Sequence, residues 1–130
     1  MPTPLIAVVD DESIFVEMVS DVLTDEGFRV ITSTNASDAL PIIREQRPDL
    51  IILDVRMEKP DAGWMFLSTL RLAPETSHTP VIICSADGRF LAEKSAQLLA
   101  HGVETLEKPF NIEELVERIR RMLKSEDQTP

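Results

Sequence analysis

The stretch LIAVVDDES, residues 5–13, is an apolar run that ends in two adjacent carboxylates, Asp10 and Asp11. Its five apolar residues have the length and composition of one buried strand. Adjacent carboxylates repel each other, and neither is easily buried, so the pair needs a compensating cation or a chemical role. The role of the pair therefore depends on what lies beside it at the end of that strand.

A strand followed by a helix recurs five times along the chain. The strand-like runs lie at residues 5–9, 29–33, 50–53, 80–84 and 103–107. The first, third and fourth runs are apolar throughout, as strands covered on both faces are, whereas the second is more polar and is predicted at or near an edge. Strands that alternate with helices form a parallel sheet with right-handed crossovers. The sequence therefore predicts an α/β, doubly wound, five-stranded parallel sheet.

Local signals predict where the helices begin and end. Gly27 is expected to end the first helix, because glycine readily adopts the left-handed conformation that follows a helix. Asn35 is expected to cap the second helix, and Pro41 inside that helix predicts a kink or a late start. Asn111 with Glu114 opens the last helix like a capping box.

Composition restricts the class of protein. The 130 residues are enough for one domain, expected over residues 1–124 with a polar tail or linker start at 125–130. The net charge of −10 argues against direct nucleic-acid binding, although it could attract a metal cation. No apolar run approaches the ~20 residues needed for membrane insertion. The single cysteine, Cys84, excludes an intramolecular disulfide, and a cytoplasmic location is expected.

Polar side chains follow four of the five predicted strands. The first strand is followed by Asp10 and Asp11, the third by Asp54, the fourth by Ser85 and the fifth by Lys108. In a parallel sheet the carboxyl ends of the strands meet at one edge, and sites form there at a switch point. We therefore expect these five side chains to converge.

These residue types together indicate phosphoryl chemistry. Three carboxylates a few ångströms apart repel by about 4 kcal/mol per close pair, which a hard divalent cation such as Mg²⁺ would relieve. A carboxylate can also attack a phosphoryl group and form an aspartyl phosphate. The transferred group carries negative charge that a metal and nearby donors stabilise. Lys108 would supply a cation to it, and Ser85 a hydroxyl.

The chain resembles the response-regulator receiver domain of two-component phosphorelay signalling. The segments AVVDDES, LIILDVRM, VIICSA and LEKPF are similar to the four signatures of that family, in the same order and at strand ends, and the likeness runs from about residue 5 to 124. The resemblance implies a flavodoxin-like sheet with strand order 2-1-3-4-5. It also implies either a single-domain chain like the chemotaxis regulators or the receiver part of a longer protein.

The resemblance further implies how the site works. Asp54 would accept a phosphoryl group from a sensor histidine kinase or a phosphotransfer protein, with Mg²⁺ required. Asp11 and Asp54 would bind the metal directly, Asp10 would help through water, and the backbone carbonyl of Arg56 would complete the protein ligands. The modified chain would then switch conformation and control a downstream protein or output domain. Such a chain assists its own phosphorylation and dephosphorylation but is not a turnover enzyme.

The family likeness also assigns the remaining site residues. Ser85 and Lys108 would contact the phosphoryl oxygens, and the bond between Lys108 and Pro109 would commonly be cis. Three residues before the lysine the family usually has an aromatic switch residue, whereas this chain has Thr105 and contains no tyrosine. The usual aromatic rotation therefore cannot operate in its familiar form.

Other interpretations of the sequence stay open. One is a receiver-like interaction scaffold that is not phosphorylated. Another is a Mg²⁺-dependent aspartyl-phosphate phosphatase, which needs an acid two residues after its nucleophile, where this chain has Arg56. A flavin-binding module needs a Ser-, Thr- or Gly-rich phosphate loop after the first strand, where residues 10–12 would instead repel phosphate. The face made by helix four, strand five and helix five is either solvated or binds a partner or a second copy of the chain.

Overall fold

The structure, a computed structural model, describes residues 3–54, 62–86, 88–100 and 102–127. Five strands alternate with five helices along these residues, as the sequence pattern predicted. The elements are β1 Leu5–Val9, α1 Ser13–Asp25, β2 Arg29–Ser33, α2 Ala36–Gln46, β3 Leu50–Leu53, α3 Ala62–Leu72, β4 Val81–Ser85, α4 Gly88–Ala100, β5 Val103–Glu107 and α5 Ile112–Asp127.

The strands form one sheet, all parallel, in the order β2-β1-β3-β4-β5. This is the predicted flavodoxin-like order. The register aligns the carboxyl ends of the strands: Val9 of β1 lies opposite Ser33 of β2 on one side and Leu53 of β3 on the other. At the far side of the sheet, Ser85 of β4 lies opposite Glu107 of β5. Residues that follow these strands therefore meet along one edge.

Burial of the strands follows the predicted pattern. Every residue of β1, β3 and β4 is buried, whereas β2 at the edge is half-buried or exposed. Alternate residues of β1 enter two separate core layers, one on each face of the sheet. Ile6 and Val8 pack with apolar residues of α1 and α5, and Ala7 and Val9 pack with those of α2, α3 and α4.

Helix boundaries agree with most of the local signals. Gly27 follows α1 with a φ of 96°, the left-handed conformation expected of a terminating glycine. Asn35 caps α2, and its side chain accepts a hydrogen bond of 2.8 Å from the backbone N–H of Asp38. Helix α2 begins at Ala36, so the late start predicted from Pro41 is wrong. A kink at Pro41 stays a prediction.

The last helix is capped, but by a different bond from the one predicted. The side chain of Asn111 accepts a hydrogen bond of 2.8 Å from the N–H of Glu113, while the Glu114 carboxylate lies 3.7 Å from Arg118. Helix α5 continues to Asp127, three residues past the expected end of the domain at residue 124. That domain boundary stays a prediction. Within the described residues, no helix is both long and apolar enough to cross a bilayer.

Candidate functional site

The carboxyl ends of four strands bring Asp10, Asp54, Ser85 and Lys108 to one edge of the sheet, as the sequence predicted. Backbone hydrogen bonds continue the strand pairing into these residues. The N–H of Asp54 donates to the carbonyl of Val9 at 3.1 Å, and the N–H of Lys108 donates to the carbonyl of Ser85 at 2.8 Å. These bonds fix where each functional side chain leaves the backbone.

Lys108 lies at the centre of the site. Its Nζ donates a hydrogen bond to Asp10 Oδ2 at 2.6 Å and another to Glu12 Oε1 at 3.1 Å. It also lies 3.5 Å from Asp54 Oδ2. The lysine side chain is only 12% exposed, so these contacts are largely shielded from water. A single ammonium therefore contacts three carboxylates and offsets only part of their negative charge.

The carboxylates form a compact acidic group. One oxygen from each of Asp10, Glu12 and Asp54 lies within 4.8 Å of the others. At an effective dielectric near 20, each pair of ionised carboxylates at that separation repels by roughly 3 kcal/mol or more. Hard oxygen ligands in such an arrangement suit a small divalent cation such as Mg²⁺. The donor set therefore fits the metal that the sequence predicted.

Burial and nearby charges shift the pKa values of Asp10 and Lys108. Burial raises the pKa of Asp10, and hydrogen bonds from Lys108 and from the N–H of Glu12 oppose that rise. Burial alone would lower the pKa of Lys108, but the hydrogen bond and charge of Asp10, with Glu12 and Asp54, outweigh it and raise the pKa. Lys108 therefore stays protonated at neutral pH.

Glu12 is the site residue that sequence reasoning missed. Its N–H donates to Asp10 Oδ1 at 2.9 Å, and this local turn brings the Glu12 carboxylate back towards Lys108. Asp10 was expected to resist burial, yet it is only 1% exposed. Asp11, by contrast, is exposed and lies outside the group of three acids found among the described residues. Direct metal binding by Asp11 stays a prediction, and Arg56 lies outside the described residues.

Aromatic rings border the lysine. Lys108 Nζ lies 4.0 Å from the centroid of the Phe15 ring. The rings of Phe15 and Phe110 meet edge to face, with centroids 6.0 Å apart and an angle of 89° between their planes. The Lys108–Pro109 bond is cis, as the resemblance implied. A cleft of about 380 Å³ opens here, lined by Glu12, Phe15, Met18, Ala86, Lys108, Pro109 and Phe110.

Ser85 and Thr105 lie on adjacent strands near the site. Ser85 is the last residue of β4 and is 1% exposed, so its hydroxyl lies inside the protein rather than in the following loop. Thr105, in the position where the family usually has an aromatic residue, is half-buried. Its carbonyl accepts a hydrogen bond of 2.8 Å from Arg118 of α5.

Comparison with known proteins places this architecture in a family. The family model for the response regulator receiver domain matches residues 6–120. The probable transcriptional regulatory protein TcrX of Mycobacterium tuberculosis is 39% identical over 120 residues, which are 92% of this chain and 49% of that protein. The probable chemotaxis protein CheY of Rhizobium etli is 39% identical over 112 residues, covering 85% of this chain and 84% of that protein.

Solved structures of response regulators have the same fold as this chain. The chemotaxis response regulator CheY4 of Vibrio cholerae superimposes with a TM-score of 0.82 at 30% identity, covering 93% of this chain and 99% of that one. The chain belongs to the response-regulator receiver family of two-component signalling. It spans about half the length of the transcriptional regulators that it matches.

Proposed function

We propose that this chain is a phosphorylation-dependent switch whose phosphoryl acceptor is Asp54. One observation carries the proposal: the Asp54 carboxylate, at the end of β3, lies 3.5 Å from a shielded ammonium and within an acidic group suited to a divalent cation. A carboxylate in that position can act as a nucleophile, while the ammonium stabilises the charge of the transferred group. Its membership of the receiver family supports the same reaction.

Asp10, Glu12 and Asp54 are the residues that would hold Mg²⁺. The resemblance adds Asp11 as a direct ligand and the carbonyl of Arg56. A bound divalent cation would neutralise part of the acidic group and let a phosphoryl donor approach it. The protein's own hydrogen bonds would position these acids for the metal, because a backbone bond holds Asp54 and a local turn holds Glu12.

The remaining residues act on the phosphoryl group. One Asp54 carboxylate oxygen would form a bond to phosphorus as the bond from phosphorus to the donor's nitrogen or oxygen breaks. Lys108 would shift one of its N–H donors from a carboxylate to a phosphoryl oxygen, and the Ser85 hydroxyl would donate to another. The chain would assist its own phosphorylation and dephosphorylation in this way, without multiple turnover of a separate substrate.

The partners follow from this chemistry. The donor would be a sensor histidine kinase or a phosphotransfer protein, and the phosphorylated form would act on a downstream protein or an output domain, in the cytoplasm. We also propose the α4-β5-α5 face as a surface for a partner or a second copy of the chain. On that face Leu99 is 71% exposed, and Arg118 and Arg121 both contact Glu104, at 3.4 and 2.6 Å.

The test is the intact mass of the chain after incubation with acetyl phosphate, with and without Mg²⁺. The natural chain should gain the mass of one phosphoryl group only when Mg²⁺ is present. Asp54→Asn should gain nothing, because the amide is not a nucleophile. Asp21→Asn, which changes an exposed acid of α1, is the matched control and should label normally.

Three other outcomes of the labelling experiment would contradict the proposal. An adduct that persists in Asp54→Asn would move the acceptor to another residue. If no adduct forms under conditions where another receiver domain labels, the switch is rejected and the chain is better described as an unphosphorylated interaction scaffold. Repeated turnover of a phosphate ester would instead support the phosphatase.

A further inference from the structure

We propose that Phe15 is a positioning residue for Lys108: the face of its ring, and not only its bulk, holds the ammonium where it can meet a phosphoryl group on Asp54. This inference rests on the proposed function. The ring centroid lies 4.0 Å from Lys108 Nζ, well within the range of a cation–π interaction. In the sequence, Phe15 is simply one of the apolar residues at helical spacing in α1.

The surroundings of the ammonium make this contact significant. Lys108 is 12% exposed, so most of its hydration shell is lost. Hydrogen bonds to Asp10 and Glu12 replace part of that shell, at 2.6 and 3.1 Å. The negative face of an aromatic ring attracts a cation more strongly as water is removed. Phe15 therefore stabilises the ammonium without being a hydrogen-bond acceptor that would compete for its N–H groups.

The Phe15 ring is itself held in place. The ring of Phe110 meets it edge to face at 6.0 Å, an arrangement that aromatic pairs favour. Both rings pack against the core layer between the sheet and helices α1 and α5. The two rings thus connect α1 to the segment that follows β5, which is the segment that carries Lys108. A fixed ring restricts the positions available to the flexible lysine side chain.

An aliphatic residue of similar size would fill the same space but would not attract the cation. Without the ring face, the ammonium would be free to sample more rotamers and to recover water. We therefore expect Phe15→Leu to lower the rate of phosphorylation by roughly two- to tenfold, the range that a cation–π interaction of ordinary strength implies. Phe15→Tyr keeps the ring face and should stay close to the natural rate.

The decisive experiment varies the ring electronically at nearly constant size. Phenylalanine carrying one, two or three fluorine atoms is introduced at position 15 alone, and the rate of labelling by acetyl phosphate is measured at saturating Mg²⁺. Fluorine withdraws electron density from the ring face, so the rate should fall stepwise with each added fluorine. Melting curves confirm that the variants remain folded, and purely steric packing would not produce such a series.

The chain offers a matched control in Phe28. The Arg120 guanidinium lies 5.6 Å from the centroid of that ring, so it too has a cation over its face. Phe28 directly precedes β2, at the amino-terminal edge of the sheet and away from Asp54. The same fluorinated residues at position 28 should leave the labelling rate unchanged.

The results separate this inference from the proposed function. Normal labelling of the natural chain with equal or rising rates across the fluorine series at position 15 would overturn the role of Phe15 alone. A parallel fall at position 28 would also overturn it, because the effect would then be general. A natural chain that takes no label would reject the proposed function, and the positioning role with it.

Discussion

Replacing Lys108 with methionine should destabilise the chain when no metal is bound. Methionine keeps much of the apolar stem but removes the ammonium, which contacts three carboxylates. Those acids would then repel one another with no cation between them. We expect the free energy of unfolding to fall by about 3 kcal/mol in the presence of a chelator, at neutral pH.

The contacts of Lys108 set this magnitude. The pair with Asp10 is close, at 2.6 Å, and shielded, with side chains 12% and 2% exposed. Removing one partner of a buried pair costs about 3–5 kcal/mol. Glu12 is 63% exposed, so its share is at most about 1 kcal/mol. Because Asp10 can escape part of the penalty by binding a proton, the lower end of the range is expected.

Bound Mg²⁺ and a lower pH should each reduce this deficit, the loss of unfolding free energy caused by Lys108→Met. Mg²⁺ would take over the neutralising role of the ammonium, so it should stabilise Lys108→Met more than the natural chain. Burial raises the pKa of Asp10, and in the variant the opposing lysine is gone. Protonation of Asp10 in the native state then begins at a higher pH, so the deficit should shrink as the pH falls below neutral.

The measurement is urea unfolding followed by circular dichroism, with a chelator and with excess Mg²⁺, at neutral and at mildly acidic pH. Lys124→Met is the matched control, because Lys124 is an exposed lysine of α5 and its loss should change stability by less than about 0.5 kcal/mol. A loss below about 1 kcal/mol for Lys108→Met, or an equal response of all three proteins to Mg²⁺, would refute the reasoning.

Three further predictions follow from other contacts. Since burial raises the pKa of Asp10, the stability that this group contributes is greatest at acid pH and falls as the pH rises through its raised pKa. Asp10→Asn leaves no unpaired buried charge, because Lys108 keeps its contacts with Glu12 and Asp54. It should therefore raise the urea midpoint at neutral pH without Mg²⁺, with the difference closing in acid, and an equal gain at every pH would contradict this cause. Asn35→Ala removes the cap of α2 and should cost about 1 kcal/mol of unfolding free energy, against a smaller loss for Asn35→Ser, which keeps a capping oxygen and adds no charge beside Asp38. Burial raises the pKa of the Cys84 thiol to about 12, so a thiol reagent should modify it only in urea, and rapid modification of the native chain would show that β4 opens.

The sequence predicted most of the fold because its signals were local and mutually consistent. Fully apolar runs marked β1, β3 and β4, and the more polar run at residues 29–33 marked the edge strand. The convergence of Asp10, Asp54, Ser85 and Lys108 followed from parallel topology, which places all carboxyl ends together.

What the sequence did not show depends on side-chain geometry. Glu12 joins the acidic group because a turn brings it back over Asp10, whereas the family resemblance implied Asp11 as the metal ligand. The contact between Phe15 and Lys108 joins residues 93 positions apart. In the sequence alone, Phe15 is indistinguishable from the other apolar residues of the first helix. Such pairings become visible only when two elements are packed together.

The bond between Arg118 and the backbone carbonyl of Thr105 has a consequence for association. Strand β5 lies at the edge of the sheet, where unpaired backbone groups can recruit a strand from another molecule. The Thr105 carbonyl is already occupied by a side chain of α5, and Glu104 beside it is held by two arginines. These contacts leave the edge of β5 less available for pairing with a strand of another molecule. A neighbour that docks here would meet helices and charged side chains, which favours a reversible contact of defined size over an extending sheet.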